Sequence, residues 1–178
     1  AFKHIKSNVD AWCDVADGSQ LDAIIVNTSG CGTMVKDYGH LLREDKNYSK
    51  KASNISDISV DIIEFIGRIG LRGISLGKKL KVAYQAPCSL QHGQLIRDEP
   101  LELLKACGFE VVLPSHGDLC CGAAGTYHIL EQKISEELQN KKIKSLVECS
   151  PDIIASGNVG CMMQLKTSDT NIVSFPIV

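Results

Sequence analysis

Two stretches of this chain align without a gap. "LDAIIVNTSGCGTMVK" (21–36) falls on "PDIIASGNVGCMMQLK" (151–166), so that Asp22, Ile24, Gly30, Cys31 and Lys36 meet Asp152, Ile154, Gly160, Cys161 and Lys166, each pair 130 residues apart. Upstream, "IKSNVDA" (5–11) resembles "IKSLVEC" (143–149) at an offset of 138, and "DVADGSQ" with its neighbours accounts for the difference of eight. Two copies of one helix–strand unit explain this most simply. Strands are expected at 22–27, 80–85, 110–114, 152–157 and 171–178, and helices at 1–13, 55–70, 99–107 and about 125–148. Within 55–70, Ile58, Ile62, Phe65, Ile66 and Ile69 are expected to share one face. Strand–helix alternation of this kind predicts an α/β fold built from parallel-sheet units.

The 178 residues carry eight cysteines, at 13, 31, 88, 107, 120, 121, 149 and 161. The N-terminal "AFKHIKSNVD" lacks a signal peptide's apolar stretch, and nothing in the chain points to export. In a reducing compartment, metal binding or redox chemistry outranks a disulfide framework. A net charge of −2 gives no strong pull toward nucleic acid or anionic membrane. One Trp, four Tyr and four Phe are too few for a platform that stacks single-stranded bases. No apolar run approaches the roughly 18–20 residues of a membrane span.

Five cysteines fall just beyond expected strand ends. Cys88 follows "LKVAYQAP", Cys120 and Cys121 follow "EVVLPSHGDL" and are expected to open a helix, Cys161 follows "DIIASGNVG", and Cys31 follows "DAIIVNTSG". Ligands collect at that edge of an open parallel sheet, and helix N-termini there favour anionic thiolates. Adjacent thiolates repel by about 1 kcal/mol in water and about 4 kcal/mol at the effective dielectric near a protein surface. A thiophilic cation reverses that balance. Neither the C-x₂₋₄-C knuckle of structural zinc nor the C-x₂-C-x₂-C run of a bacterial ferredoxin is present. Four soft donors on separated loops suit an iron–sulfur cluster best. A vicinal disulfide stays open at this point, although it leaves Cys88 and Cys161 unexplained.

"NTSGCGTMVKDYGHLL", "YQAPCSLQHGQ", "LPSHGDLCCGAAGTY" and "GNVGCMMQL" resemble the cysteine-rich CCG domains of the glycolate oxidase iron–sulfur subunit. The wider family includes the cysteine-rich component of heterodisulfide reductase, lactate-utilisation proteins and the third subunit of anaerobic glycerol-3-phosphate dehydrogenase. The resemblance implies two repeated CCG domains, the first truncated: residues 1–77 as its C-terminal part with a connecting helix, and 78–178 as the second. It also implies a 4Fe–4S-type cluster on Cys88, Cys120, Cys121 and Cys161, with Cys31 an orphan cofactor ligand of the first copy. Gln164 departs from the family's closing C-x-x-C, which leaves four thiols rather than five. Cys121 precedes Ile143 by 22 residues, and the same spacing before Ile5 falls about 17 residues ahead of residue 1. The chain is therefore expected to be a fragment that begins inside the first copy, its end "FPIV" being cut as well.

The function so implied is electron transfer in a flavin-dependent 2-hydroxy-acid dehydrogenase. FAD is expected only in the partner subunit, and a quinone or another acceptor lies downstream. The expected location is cytoplasmic, with peripheral association at the inner face of the cell membrane through the complex. A cluster-free module docking the flavin subunit and a heterodisulfide-reductase-like thiol domain are the alternatives. Cys13, Cys107 and Cys149 read as ordinary buried cysteines, and Met162 and Met163 as packing residues. His92 and His116 stand close in sequence to the candidate ligands but read first as structural or solvent-facing. Gly122 and Gly125 allow close backbone approach or shape a helix start, and 42–51 reads as a solvated charged face.

Overall fold

The computed structural model describes residues 1–15, 21–70 and 79–166, and the backbone of 173–176. Apolar residues at helical spacing on α1 (Phe2–Val15) bury Ile5 and Val9. They pack with Ile24 of β1 (Ile24–Val26), Val35 of α2 (Ser29–Lys36) and Tyr38 of α3 (Tyr38–Leu41). Ala52 and Ile55 of α4 (Ser49–Ile58) complete this core. The segment 42–51 is less solvated than its charges imply. Leu42 is 3% exposed, Asp45 pairs with Lys6 at 2.5 Å, and the Tyr48 hydroxyl donates to Asp10 at 2.7 Å.

The expected helix over 55–70 is broken in two by a strand. After α4, Ser59 turns extended and β2 (Ser59–Asp61) pairs in parallel with β1 before α5 (Ile62–Ile69) begins. The cause is a capping box: Asp61 accepts the Ile63 N–H at 3.0 Å, and Glu64 accepts the Asp61 N–H at 3.0 Å. The break also rotates the apolar face. Ile63 is buried at 1%, whereas Ile69, expected on the shared apolar face, is 59% exposed.

The second sheet holds β3 (Lys81–Gln85), β4 (Glu110–Val112), β5 (Ile153–Ser156) and β6 (Val173–Pro176), all parallel, in the order β4-β3-β5-β6. Period-2 alternation splits its residues between two faces. Val82, Tyr84 and Ala155 pack with Leu104 of α6 (Glu99–Ala106). Ala83 and Ile154 pack on the other face with Leu146 of α8 (Gln132–Val147) and with Cys161 and Leu165 of α9 (Val159–Leu165). The expected helix over 125–148 starts only at α7 (Tyr127–Leu130) and breaks at Glu131 before α8.

This strand order has a consequence for function. From β3 the chain moves outward to β4, then returns past β3 to lay down β5 and continues outward to β6. The connections leaving β3 and β5 therefore diverge, and a crevice opens beyond the carboxyl ends of those two strands. Gln85 and Ser156 close its floor, both 1% exposed, with the Ser156 hydroxyl donating to Gln85 Oε1 at 2.6 Å.

Thr28 and Asn158, 130 positions apart, are the N-caps of α2 and α9, with φ, ψ of −139°, 113° and −140°, 119°. The first unit also leans on the crevice of the second sheet. Ser29, fully buried, donates its N–H to the Gly157 carbonyl at 3.1 Å and shares a 2.7 Å hydrogen bond with the Ser89 hydroxyl.

Candidate functional site

The crevice contains four thiols. Ala86-Pro87 keeps the chain extended after β3, and Cys88 then caps a π-helical turn, Ser89–Gly93. The loop after β4 delivers Cys120 and Cys121. No helix follows them directly: Gly122, Ala124 and Gly125 all take positive φ, and helical structure resumes at Tyr127. Cys161 lies in the first turn of α9. Together the four cysteines line a cavity of about 400 Å³ with Gly30, His128, Asn158 and Gln164. No Asp, Glu, Lys or Arg is among the lining residues.

The sulfurs form a row in which each acts on the next. The buried Cys121 thiol donates to Cys161 at 3.1 Å. That contact, helped by the Asn158 amide at 3.4 Å, holds Cys161 below the usual thiol range despite its burial. Cys121 is drawn down by Cys120, but its own donation to Cys161 and its burial win and push it up to about 11. Cys120 is pushed up further by its contact with Cys121 and by burial, and Cys88 eases it down. Cys88 itself is exposed at the mouth.

Metal-free protein thus holds protons on Cys120 and Cys121 that an unfolded chain releases near pH 9.0. Burial raises Tyr84 in the same sense. A raised acid contributes stability below its unfolded value and loses it as pH rises. The melting temperature of the reduced, metal-free protein is therefore expected to fall as pH climbs from 9 to about 11. Calorimetry across that range checks this, and a flat profile contradicts it.

Several residues, all but Gln164 passed over in the sequence reading, hold this row in place. Asn158 donates to Cys161 and accepts the Gly30 N–H at 3.4 Å, joining the second unit to the N-terminus of α2. From α8, Ser135 donates to the Gly122 carbonyl at 2.9 Å, and Lys142 donates to the His116 and Gly117 carbonyls at 3.2 and 2.7 Å. Gln164 donates to Ser135 at 3.0 Å. The available signal was spacing: 135, 139, 142 and 146 share one helical face, but three of those four residues are polar and read as solvated.

Cys31 stands apart, exposed on α2 and outside the cavity lining, although its neighbour Gly30 lines it. Cys13, Cys107 and Cys149 are half-buried rather than buried. His92 and His116 are exposed, and His116 meets the site only through its backbone. Met163, read as a packing residue, is 74% exposed at the cavity rim. His128, which the sequence did not single out, also lines the cavity, its Nδ1 2.8 Å from the Gly125 carbonyl. All eight cysteines are free thiols, which removes the vicinal disulfide from this state.

Among the described residues no three His, Cys, Asp or Glu side chains converge as a single-ion site requires. Thiols spread around a cavity are donors that a polynuclear centre can share, because each thiolate of such a centre binds a different iron. The donor chemistry agrees: soft sulfur and no hard carboxylate favour iron–sulfur over calcium or magnesium.

The cysteine-rich domain family CCG matches residues 82–166, a span that includes all four cavity cysteines. These residues are a CCG cysteine-rich domain. The glycolate oxidase iron-sulfur subunit of Escherichia coli (strain K12) is 32% identical over 163 residues, covering 92% of this chain and 40% of that protein. A probable glycolate oxidase iron-sulfur subunit of Bacillus subtilis (strain 168) is 30% identical, over 90% of this chain and 36% of its own length. Lactate utilization protein A of Anoxybacillus flavithermus is 28% identical over 80% of this chain. The resemblance carried by the cysteine motifs is thereby borne out. The chain spans less than half the length of the two glycolate oxidase relatives. Among the described residues, no helix near the CCG domain or elsewhere is long and apolar enough to cross a membrane.

Proposed function

We propose that this chain is part of an iron–sulfur subunit of a flavin-dependent 2-hydroxy-acid dehydrogenase, and that Cys88, Cys120, Cys121 and Cys161 hold its cluster. One observation carries the reading: three loops separated in sequence bring four thiols to one cavity at the sheet's switch point, within the CCG domain. The names of the relatives, glycolate oxidase iron-sulfur subunits, support the oxidoreductase context. When bound, a 4Fe–4S-type cluster supplies one-electron transfer.

The chain's own residues do the rest. Cys161, already held below the ordinary thiol range, is readier to ionise than Cys120 or Cys121, which are both raised. Asn158 orients its sulfur, and Gly30 orients Asn158. Burial of Cys121 and Cys161, both 3% exposed, keeps water from the inner half of the row, while Cys88 is the exposed member. The division into units 1–77 and 78–178 belongs to this reading, as do FAD on a partner subunit and a quinone-type acceptor.

The test is anaerobic reconstitution with ferrous iron and sulfide, followed by metal analysis and EPR after dithionite reduction. About four iron and four sulfide per chain, with an EPR signal on reduction, are expected. Protein that binds neither overturns the cluster and leaves a thiol-lined docking module.

A further inference from the structure

Helix α8 buries an unusual stripe. Ser135, Lys142 and Ser145 are 2%, 0% and 2% exposed, beside Leu146 at 0%. Each polar member grips a backbone segment that carries a cavity thiol. Ser135 holds the Gly122 carbonyl, and Ser145 accepts the His116 N–H at 3.1 Å. Gln139, on the same face, donates to the Gln164 carbonyl near the end of the helix that bears Cys161. A serine or glutamine suffices for such work. Lys142 brings a full positive charge as well, and burying one is costly unless something compensates it.

Nothing of the ordinary kind does. Among the described residues no carboxylate lies within ion-pairing distance of Lys142. Its Nζ has the two carbonyls of His116 and Gly117, which begin the loop ending in Cys120 and Cys121. Burial draws Lys142 down, and the groups that raise it again are Cys121, Cys161, Asp118 and Cys120. Three of those four are cavity thiols.

We propose that Lys142 is a positioning residue of the four-cysteine cavity, its ammonium tying down the 116–121 loop and standing as a fixed positive charge behind the thiolates. The proposal rests on the iron–sulfur reading for its redox consequence and on the loop contacts alone for its structural one. Thiolates that bind iron bring negative charge to the cavity, and uptake of one electron adds another without breaking a bond. A buried cation on the protein side favours both changes.

The experiment compares wild type, Lys142→Met, Lys142→Arg and Ser145→Ala. Each is reconstituted anaerobically and titrated with dithionite under EPR detection. Lys142→Met is expected to lower the reduced-to-oxidised ratio at a fixed ambient potential about tenfold, or about 59 mV for a one-electron couple. Lys142→Arg restores the ratio to within about threefold of wild type, and so does Ser145→Ala, which loosens the same loop but leaves the charge. Equal shifts in Lys142→Met and Ser145→Ala, or none in Lys142→Met, overturn the charge role. Should Lys142→Met fail to fold, the Lys142 ammonium resonance of the wild type decides: it must move on reduction, and an unmoved line overturns the proposal.

A separate arm uses metal-free protein. Amide exchange over 116–121 is expected to quicken about tenfold in Lys142→Met while the middle of α8 stays protected. Unchanged exchange there overturns the positioning role by itself, whereas wild type that takes up no iron sinks the cluster reading instead.

Discussion

Serine at position 161 is expected to leave the reconstituted protein with almost no bound iron or sulfide, although Cys161→Ser changes one atom. Cys161 is 3% exposed, accepts from Cys121 at 3.1 Å and from Asn158 at 3.4 Å, and is held below the ordinary thiol range. A hydroxyl in its place is far less acidic and a harder donor, so the inner end of the row loses its anchor for iron. Cys121→Ser is expected to behave alike, since Cys121 links Cys161 to Cys120. Cys31→Ser is the control: its sulfur is exposed and outside the cavity, and loading is expected to match wild type. Iron and sulfide analysis beside a thermal melt of each metal-free variant separates lost ligation from lost folding. Wild-type loading in Cys161→Ser removes that residue from the ligand set.

The same contrast between Cys161 and Cys31 shows what the sequence made legible. Their common surroundings, an apolar strand followed by a small-residue turn, sufficed to place both just beyond a strand's carboxyl end, and each lies in the first turn of the helix that follows. Parallel pairing followed from the alternation of elements, and the crevice from cysteines recurring after strands. What stayed hidden was whatever depends on tertiary partners. The polar face of α8 reads as solvent-exposed because Ser135, Lys142 and Ser145 find their hydrogen-bond partners in a loop some 13 to 29 residues away. Apolar isoleucines over 55–70 suggested one helix, yet the Asp61–Glu64 capping box, equally present in the sequence, overrode that periodicity. Asn158 drew no notice in the sequence, and only the arrival of Gly30 from the other unit gives its side chain two partners at once.

Gly122→Ala is expected to destabilise the metal-free protein by about 2–5 kcal/mol, the largest effect of any single methyl added to the site. Gly122 follows the paired cysteines at φ +91°, where a non-glycine residue costs about 1–2 kcal/mol. A Cβ there also stands 2.5 Å from the Ser135 carbonyl oxygen and 3.3 Å from its carbon. Both atoms are helix backbone and cannot rotate aside, so either α8 or the thiol loop must shift, which adds about 1–3 kcal/mol. Gly125→Ala isolates the first contribution: φ is +65° there, but a Cβ meets nothing within 4 Å, and about 1–2 kcal/mol is expected. Urea unfolding of both variants under reducing conditions measures the difference. Equal costs at 122 and 125 mean that α8 does not press on the loop as the contact implies. A larger cost at 122, joined by weakened iron loading, ties the glycine after the two cysteines to the helix that holds them in place.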